Sequence, residues 1–189
     1  MFSFRPLALD GVIEITPKRF EDARGYFCET YNAERFAEAG IDLVFVQDNH
    51  SFSARRGVLR GLHYQLAPRA QDKLVRVTRG AILDVAVDVR ATSPTYGKWV
   101  SLQVSAAAGN QLLVPKGFAH GFIALEDNTE VIYKVTNIYD RECERSLRFD
   151  DPEIGIAWPM LADEFQLSDK DRAAPTLREA REASEIPQS

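Results

Sequence analysis

The sequence is short of cysteine, of histidine and of long apolar runs, and each shortage excludes a class of protein. Two cysteines, Cys28 and Cys143, are too few for a disulfide framework. Both are read as reduced thiols of a cytosolic protein with structural roles only. No apolar stretch approaches the ~20 residues that span a bilayer. The start, Met1 to Pro6, lacks the charged head and apolar body of a secretory leader. A cytoplasmic location without membrane association is therefore expected. Positive charge is scarce as well: 23 Lys and Arg against 28 Asp and Glu leave a formal net charge of −5. Phosphate backbones attract basic surfaces, so a nucleic-acid partner is disfavoured. A local cluster of Arg55, Arg56 and Arg60, followed by Lys73, Arg76 and Arg79, remains open to a small anion. From charge alone it reads as a solvated edge. There is no internal repeat and no low-complexity linker, and 189 residues suit one domain with a real core.

What is present is β-structure. Leu83, Val85, Val87 and Val89 alternate with Asp84, Ala86 and Asp88, the pattern of a half-buried strand. Val100, Leu102 and Val104 alternate with serines and glutamine, and Val131 to Thr136 is rich in β-branched and aromatic residues. Gly, Pro and Asn signals separate these runs. Short strands so punctuated predict a sandwich or barrel. Asn32 is expected to cap a helix with Phe36 and Ala39 on its apolar side, closed by Gly40. Thr176 to Glu179 reads as a capping box, and Ser168 as the start of a shorter turn. The domain is divided into N-terminal strands and helix over 1–40, a core over about 41–145, and C-terminal loops and helices over about 146–189. The last residues, Pro187 to Ser189, are expected to fray.

Two segments carry the chemistry. In Gly57 to Gln65, Gly57 leads through five residues to His63. In Gly109 to Phe122, Gly109 leads through Pro115 and Gly117 to His120. Both resemble the paired motifs of cupins. The departures matter: Gln65 stands for the second histidine of the first motif, and Lys73 for its glutamate ligand. An ammonium has no lone pair and repels a divalent cation. Two imidazoles fall short of the three protein ligands usual at a catalytic zinc. The pattern predicts a cavity converted from metal chemistry to acid–base chemistry, with no metal and no cofactor.

The same segments, with Asp22–Tyr31, Gln47–Ser53, Gln71–Val77, Ile82–Trp99, Glu130–Tyr139 and Leu167–Asp171, resemble in order the dTDP-4-dehydrorhamnose 3,5-epimerase family. The resemblance implies a mainly β fold, a cupin-type jelly-roll sandwich with a few short peripheral helices. It implies a homodimer that acts on a dTDP-sugar without a cofactor. By the resemblance His63 is the base, Asp171 its orienting carboxylate, Tyr133 the proton donor on the opposite face, and Lys73 the charge facing the enolate oxygen. Arg24, Arg60 and Lys170 are implied for the pyrophosphate and Tyr139 for stacking on thymine. Glu29, Gln47, Asn49, His120 and Glu144 match further ligand positions. Tyr139 shares strand parity with Tyr133, so both are expected on one cavity. Arg60 and His63 have opposite parity, and both can face a ligand only across an irregularity, for which Gly61 is the expected place. A ketone activates both neighbouring carbons, and inverting one needs a base, an enolate stabiliser and a donor on the other face. Three other readings stay open: a single-carbon epimerase or ketoisomerase, a metal-dependent cupin oxygenase, and a non-catalytic carbohydrate-binding jelly roll.

Overall fold

A computed structural model describes residues 1–159 and 165–188. Ser189, expected to fray, lies outside the described residues. Two antiparallel sheets face each other. The larger runs β1 (Phe2–Pro6), β2 (Ile13–Pro17), β10 (Gln111–Val114), β7 (Lys73–Arg79), β12 (Thr129–Val135), β5 (Gln47–Ser53). The smaller runs β13 (Glu144–Ser146), β6 (Leu59–Gln65), β11 (Phe118–Ala124), β8 (Ala81–Asp88), β9 (Trp99–Ser105). A separate hairpin joins β3 (Arg19–Asp22) to β4 (Gly25–Cys28). The fold is the jelly-roll sandwich expected, but its core does not begin near residue 41. β1 and β2 are members of the large sheet, paired to β10 through Ile13 and Ile15.

Period-two alternation sorts the side chains into layers. Val75, Val77, Val131, Ile82, Ala86, Phe118 and Phe122 meet between the sheets. The outer face of the large sheet, with Leu74 and Leu113, is covered by Phe36 of α1 (Ala33–Glu38). Asn32 caps that helix by accepting from the Arg35 amide, as expected, but Ala39 is exposed; Phe36 alone carries the contact. Gly40 follows at φ +81°.

Strand β8 departs from its half-buried reading. Ile82 and Ala86 face the inter-sheet core, while Val85 and Val87 face a second cluster with Leu177, Ala180 and Ile186. Asp84 and Asp88 are both wholly buried. The cover on the outer face is the C-terminal segment, including α3 (Leu177–Glu182), opened by the expected capping box of Thr176 and Glu179. The segment is pinned through Gln188: the Ala91 and Thr92 amides donate to the Pro187 and Gln188 carbonyls at 2.8 and 3.3 Å. Burying Ile186 is worth roughly 1.5–3 kcal/mol, enough to offset the ~1–2 kcal/mol of ordering one backbone residue. Pro187 and Gln188 are therefore held rather than frayed. No helix among the described residues is long and apolar enough to cross a membrane.

The expected irregularity lies at Gly61. His63 pairs with His120 and Arg60 with Phe122, so two residues of β6 oppose Gly121 alone. This bulge restores Arg60 and His63 to one face, that of His120 and Phe122. Gly61 has φ +125°, and a Cβ there would stand 2.5 Å from the Gly121 Cα and 2.8 Å from the His120 carbonyl oxygen. Both contacts are backbone and cannot swing aside. Gly61→Ala is expected to destabilise by roughly 2–4 kcal/mol, on the order of 5–10 °C in Tm. Calorimetry checks this, and an unchanged Tm would show that the two strands can part freely.

Candidate active site

One end of the inter-sheet space is open, forming a cavity of about 670 Å³. That lies within the ~300–1,000 Å³ usual for small-ligand sites. Lys73 and Tyr133 enter it from the large sheet, in the inward register of Val75 and Val131. His63, Arg60 and His120 enter from the small sheet. Asp171 and Lys170 arrive on α2 (Asp169–Arg172), a single turn capped by Ser168, whose hydroxyl accepts from the Asp171 amide at 3.1 Å.

His63 Nε2 lies 2.5 Å from Asp171 Oδ1. Burial of Asp171 opposes its ionisation, but the His63 hydrogen bond and charge outweigh it and hold the carboxyl below its usual range. An ionised Asp171 keeps the proton on Nε2 and leaves a lone pair on Nδ1, the state a base requires. A second pair lies beside it: His120 Nε2 is 2.6 Å from Asp84 Oδ1, with both side chains buried. Burial lowers the His120 pKa, so this ring is neutral near pH 7.

Lys73 is buried, and its ammonium donates to the His63 carbonyl at 3.1 Å. Burial lowers its pKa to about 8, and the charges of Asp84 and Glu144 resist that fall. Below about pH 8 the cavity floor therefore carries a cation suited to an enolate oxygen. Above it the charge is lost. Turnover that depends on this ammonium is expected to fall as pH rises through about 8. A kcat/KM profile flat to pH 9.5 would remove Lys73 from the charge-stabilising role. Burial also raises the Tyr133 hydroxyl above its ordinary value, against the pull of Arg60. Tyr133 thus stays a neutral O–H donor.

The rim is polar. Glu144 takes Lys170 Nζ at 2.6 Å and the Tyr139 hydroxyl at 3.0 Å. Arg60 donates to the Phe52 carbonyl at 3.0 Å and keeps a buried Nε without a partner among the described residues. Gln47 Nε2 donates to Asn49 Oδ1 at 2.8 Å.

The cavity thus gathers eleven of the thirteen residues singled out in the sequence: His63, Tyr133, Asp171, Lys73, Gln47, Asn49, Arg60, His120, Tyr139, Glu144 and Lys170. Arg24 and Glu29 stand elsewhere. Arg24 lies in the exposed hairpin turn against Asp22, and Glu29 faces Arg35 beside a different groove, lined by Phe2, Phe4, Phe20 and Phe27. Tyr139 arrives by a route other than strand parity. β12 ends at Val135, and Tyr139 is held on a loop by its own amide to Gln47 Oε1 and by the Asp140 amide to Gln65 Oε1. Gln65, in the lost histidine slot, is therefore the clamp of that loop. Ser51, Gln71 and Phe122 also line the cavity, and Asp84 lies beneath it. None of these was predicted. Asp84 had a signal, an aspartate in the same register as the inward-facing Ile82 and Ala86. The donor set does not suit the divalent cation of metal-binding cupins: Lys73 places an ammonium there, and the two histidines fall short of the three protein ligands usual at a catalytic zinc.

The sequence-family profile of dTDP-4-dehydrorhamnose 3,5-epimerase matches residues 6–179. The dTDP-4-dehydrorhamnose 3,5-epimerase of Sinorhizobium fredii is 52% identical over 93% of this chain and 90% of its own. The crystal structure of dTDP-6-deoxy-D-glucose-3,5-epimerase RmlC from Legionella pneumophila, in complex with dTDP-4-keto-L-rhamnose, superposes with a TM-score of 0.94. It is 43% identical and covers 100% of this chain and 99% of its own. A dTDP-4-dehydrorhamnose 3-epimerase of Streptomyces niveus is 41% identical over 97% of this chain and 87% of its own. Sequence and fold agree, and the chain belongs to the dTDP-4-dehydrorhamnose 3,5-epimerase family, a family of isomerases.

Proposed function

We propose that this cavity inverts carbon-3 and carbon-5 of dTDP-4-dehydro-6-deoxy-D-glucose, giving dTDP-4-dehydro-L-rhamnose, without metal or cofactor. The observation that carries the reading is the placement of His63 and Tyr133 on facing sheets of one cavity that Lys73 also lines, its ammonium on the His63 carbonyl. His63 takes the hydrogen alpha to the ketone, and the C–H electron pair moves onto the carbonyl oxygen opposite Lys73. Tyr133 then delivers a proton to the other face of the same carbon. The phenolate regains a proton from solvent, and the imidazolium releases the one it took. Asp171 stabilises the imidazolium meanwhile. Arg60 and Lys170 meet the pyrophosphate, and Tyr139, half exposed at the rim, stacks on thymine.

The proposal is tested by proton NMR of dTDP-4-keto-6-deoxyglucose with the protein in deuterated water. Deuterium is expected at both carbons, together with the inverted product. Exchange and inversion at carbon-3 alone would replace this reading with a single-carbon one, the activity by which the Streptomyces niveus relative is named. Activity is expected to survive exhaustive chelation. Loss restored by a divalent ion would end the metal-free reading.

The position of Arg24 and Glu29 bears on assembly. The hairpin between β3 and β4 exposes Phe20, Tyr26 and Phe27, and Val44, Val46 and Phe52 are exposed on β5 and the segment before it, β5 being an edge of the large sheet among the described residues. Unpaired edges and apolar patches of this kind are contact surfaces. A homodimer in which the hairpin of one copy closes the cavity of the other would bring Arg24 and Glu29 to the ligand. A sedimentation mass of a single chain would sink it.

A further inference from the structure

Two buried charges remain without full partners in the floor of the cavity. Asp84 is completely buried, and its Oδ2 has no hydrogen-bond partner among the described residues. Lys73 is also buried, and its only hydrogen bond to the described residues goes to the His63 carbonyl, although an ammonium carries three donors. An isolated buried charge is strongly unfavourable unless an opposite charge lies near. The His120 ring lies against Asp84 and feels the Lys73 charge, and burial disfavours its own protonation. The cavity that Lys73 lines also holds His63 and Arg60 from β6, Glu144 from β13, Tyr133 from β12, and Lys170 and Asp171 from α2; of these the charge of Glu144 acts on Lys73 alongside that of Asp84. Glu144 is already engaged by Lys170 and Tyr139 at the rim. Asp72, next to Lys73 in the chain, points away and binds Thr136 and the Lys116 amide.

We propose that Asp84 is a positioning residue of this site: its carboxylate is the buried counter-charge that keeps Lys73 an ammonium, and the acceptor that fixes His120 with its proton on Nε2. The His120 lone pair is then on Nδ1, so the ring accepts a hydrogen bond from a ligand hydroxyl or from Lys73 and does not act as an acid. The consequence for turnover rests on the enolate role of Lys73, but the charge coupling itself does not.

The test reads the coupling without substrate. Protein labelled with carbon-13 at lysine Cε is titrated by NMR, with the Lys73 signal identified by its loss in Lys73→Met. Asp84→Asn keeps an oxygen for His120 but removes the charge. The Lys73 midpoint is expected to fall by about one unit or more, the usual effect of a nearby opposite charge. His120→Gln leaves the carboxylate in place and is expected not to lower the midpoint. In Lys73→Met the like charge that opposes protonation of His120 is gone while Asp84 still favours it, so the imidazole midpoint is expected to rise. That measurement stands even if Asp84→Asn does not fold. The alkaline limb of kcat/KM should move down with the lysine in Asp84→Asn. A Lys73 midpoint unchanged in folded Asp84→Asn, or a His120 midpoint unchanged in Lys73→Met, overturns the proposal. A parent without epimerase activity that still shows both shifts would leave the role of Asp84 standing and remove the proposed reaction instead.

Discussion

His63→Ala is expected to abolish both epimerisation and the exchange of substrate protons with deuterated solvent. No other step can begin until the alpha proton leaves. Among the groups lining the cavity, His63 alone combines a ring nitrogen free of its carboxylate, partial exposure and an ionised aspartate behind it. His120 is a poor substitute, because burial holds it back from taking a proton. The loss should be at least on the order of 10²–10⁴-fold, with carbon-3 and carbon-5 affected alike. Asp171→Asn should give a weaker version of the same defect. The amide can still accept from Nε2, but it no longer stabilises the imidazolium across the 2.5 Å contact. Exchange persisting at the parental rate in His63→Ala would move the base elsewhere in the cavity.

Tyr133→Phe should separate the two readouts that His63→Ala loses together. The ring keeps its packing against the inter-sheet core, so the cavity keeps its shape. Only the donor is removed. The enolate still forms over Lys73 and is re-protonated from the side it left, so deuterium still washes into the substrate. Inversion needs the other face and should fall by on the order of 10²–10⁴-fold. The measurement is the same NMR experiment, with exchange and product read separately at each carbon. Equal loss of exchange and inversion would show that Tyr133 is not a second-face donor.

The histidine spacing and the Lys73 substitution were legible in the chain because cupin motifs are local: Gly57 to His63 is one turn and one strand, and Gly109 to His120 is two successive strands joined by a short turn. The bulge was legible for a related reason. Two ligand-facing residues of opposite parity demand an irregularity, and Gly61 was the residue able to adopt it. What was not legible depends on elements distant in sequence. Strand β8 reads as half exposed until residues beyond 150 are seen to cover it, so Asp84 passed as a solvent-facing carboxylate. Tyr139 lines the cavity, but not through strand parity with Tyr133. Its orientation depends on Gln47 and Gln65, both more than seventy positions upstream. Arg24 and Glu29 matched the family pattern, yet a single chain does not carry them to the cavity.

The layering also sets an order of events during synthesis. His63, His120 and Lys73 all lie on strands that can pair once β12 has emerged, and the sandwich can then begin to close. Asp171, the carboxylate proposed to orient the base, lies 108 positions after His63, on a turn of only four residues. Helices that short do not persist alone, so α2 takes shape by docking on β6. A nascent chain released before that segment would hold the sheets, the cationic floor and an imidazole free to rotate. The proposed base and its carboxylate therefore meet only after the sandwich walls have formed, and the same late turn brings Lys170 to the cavity.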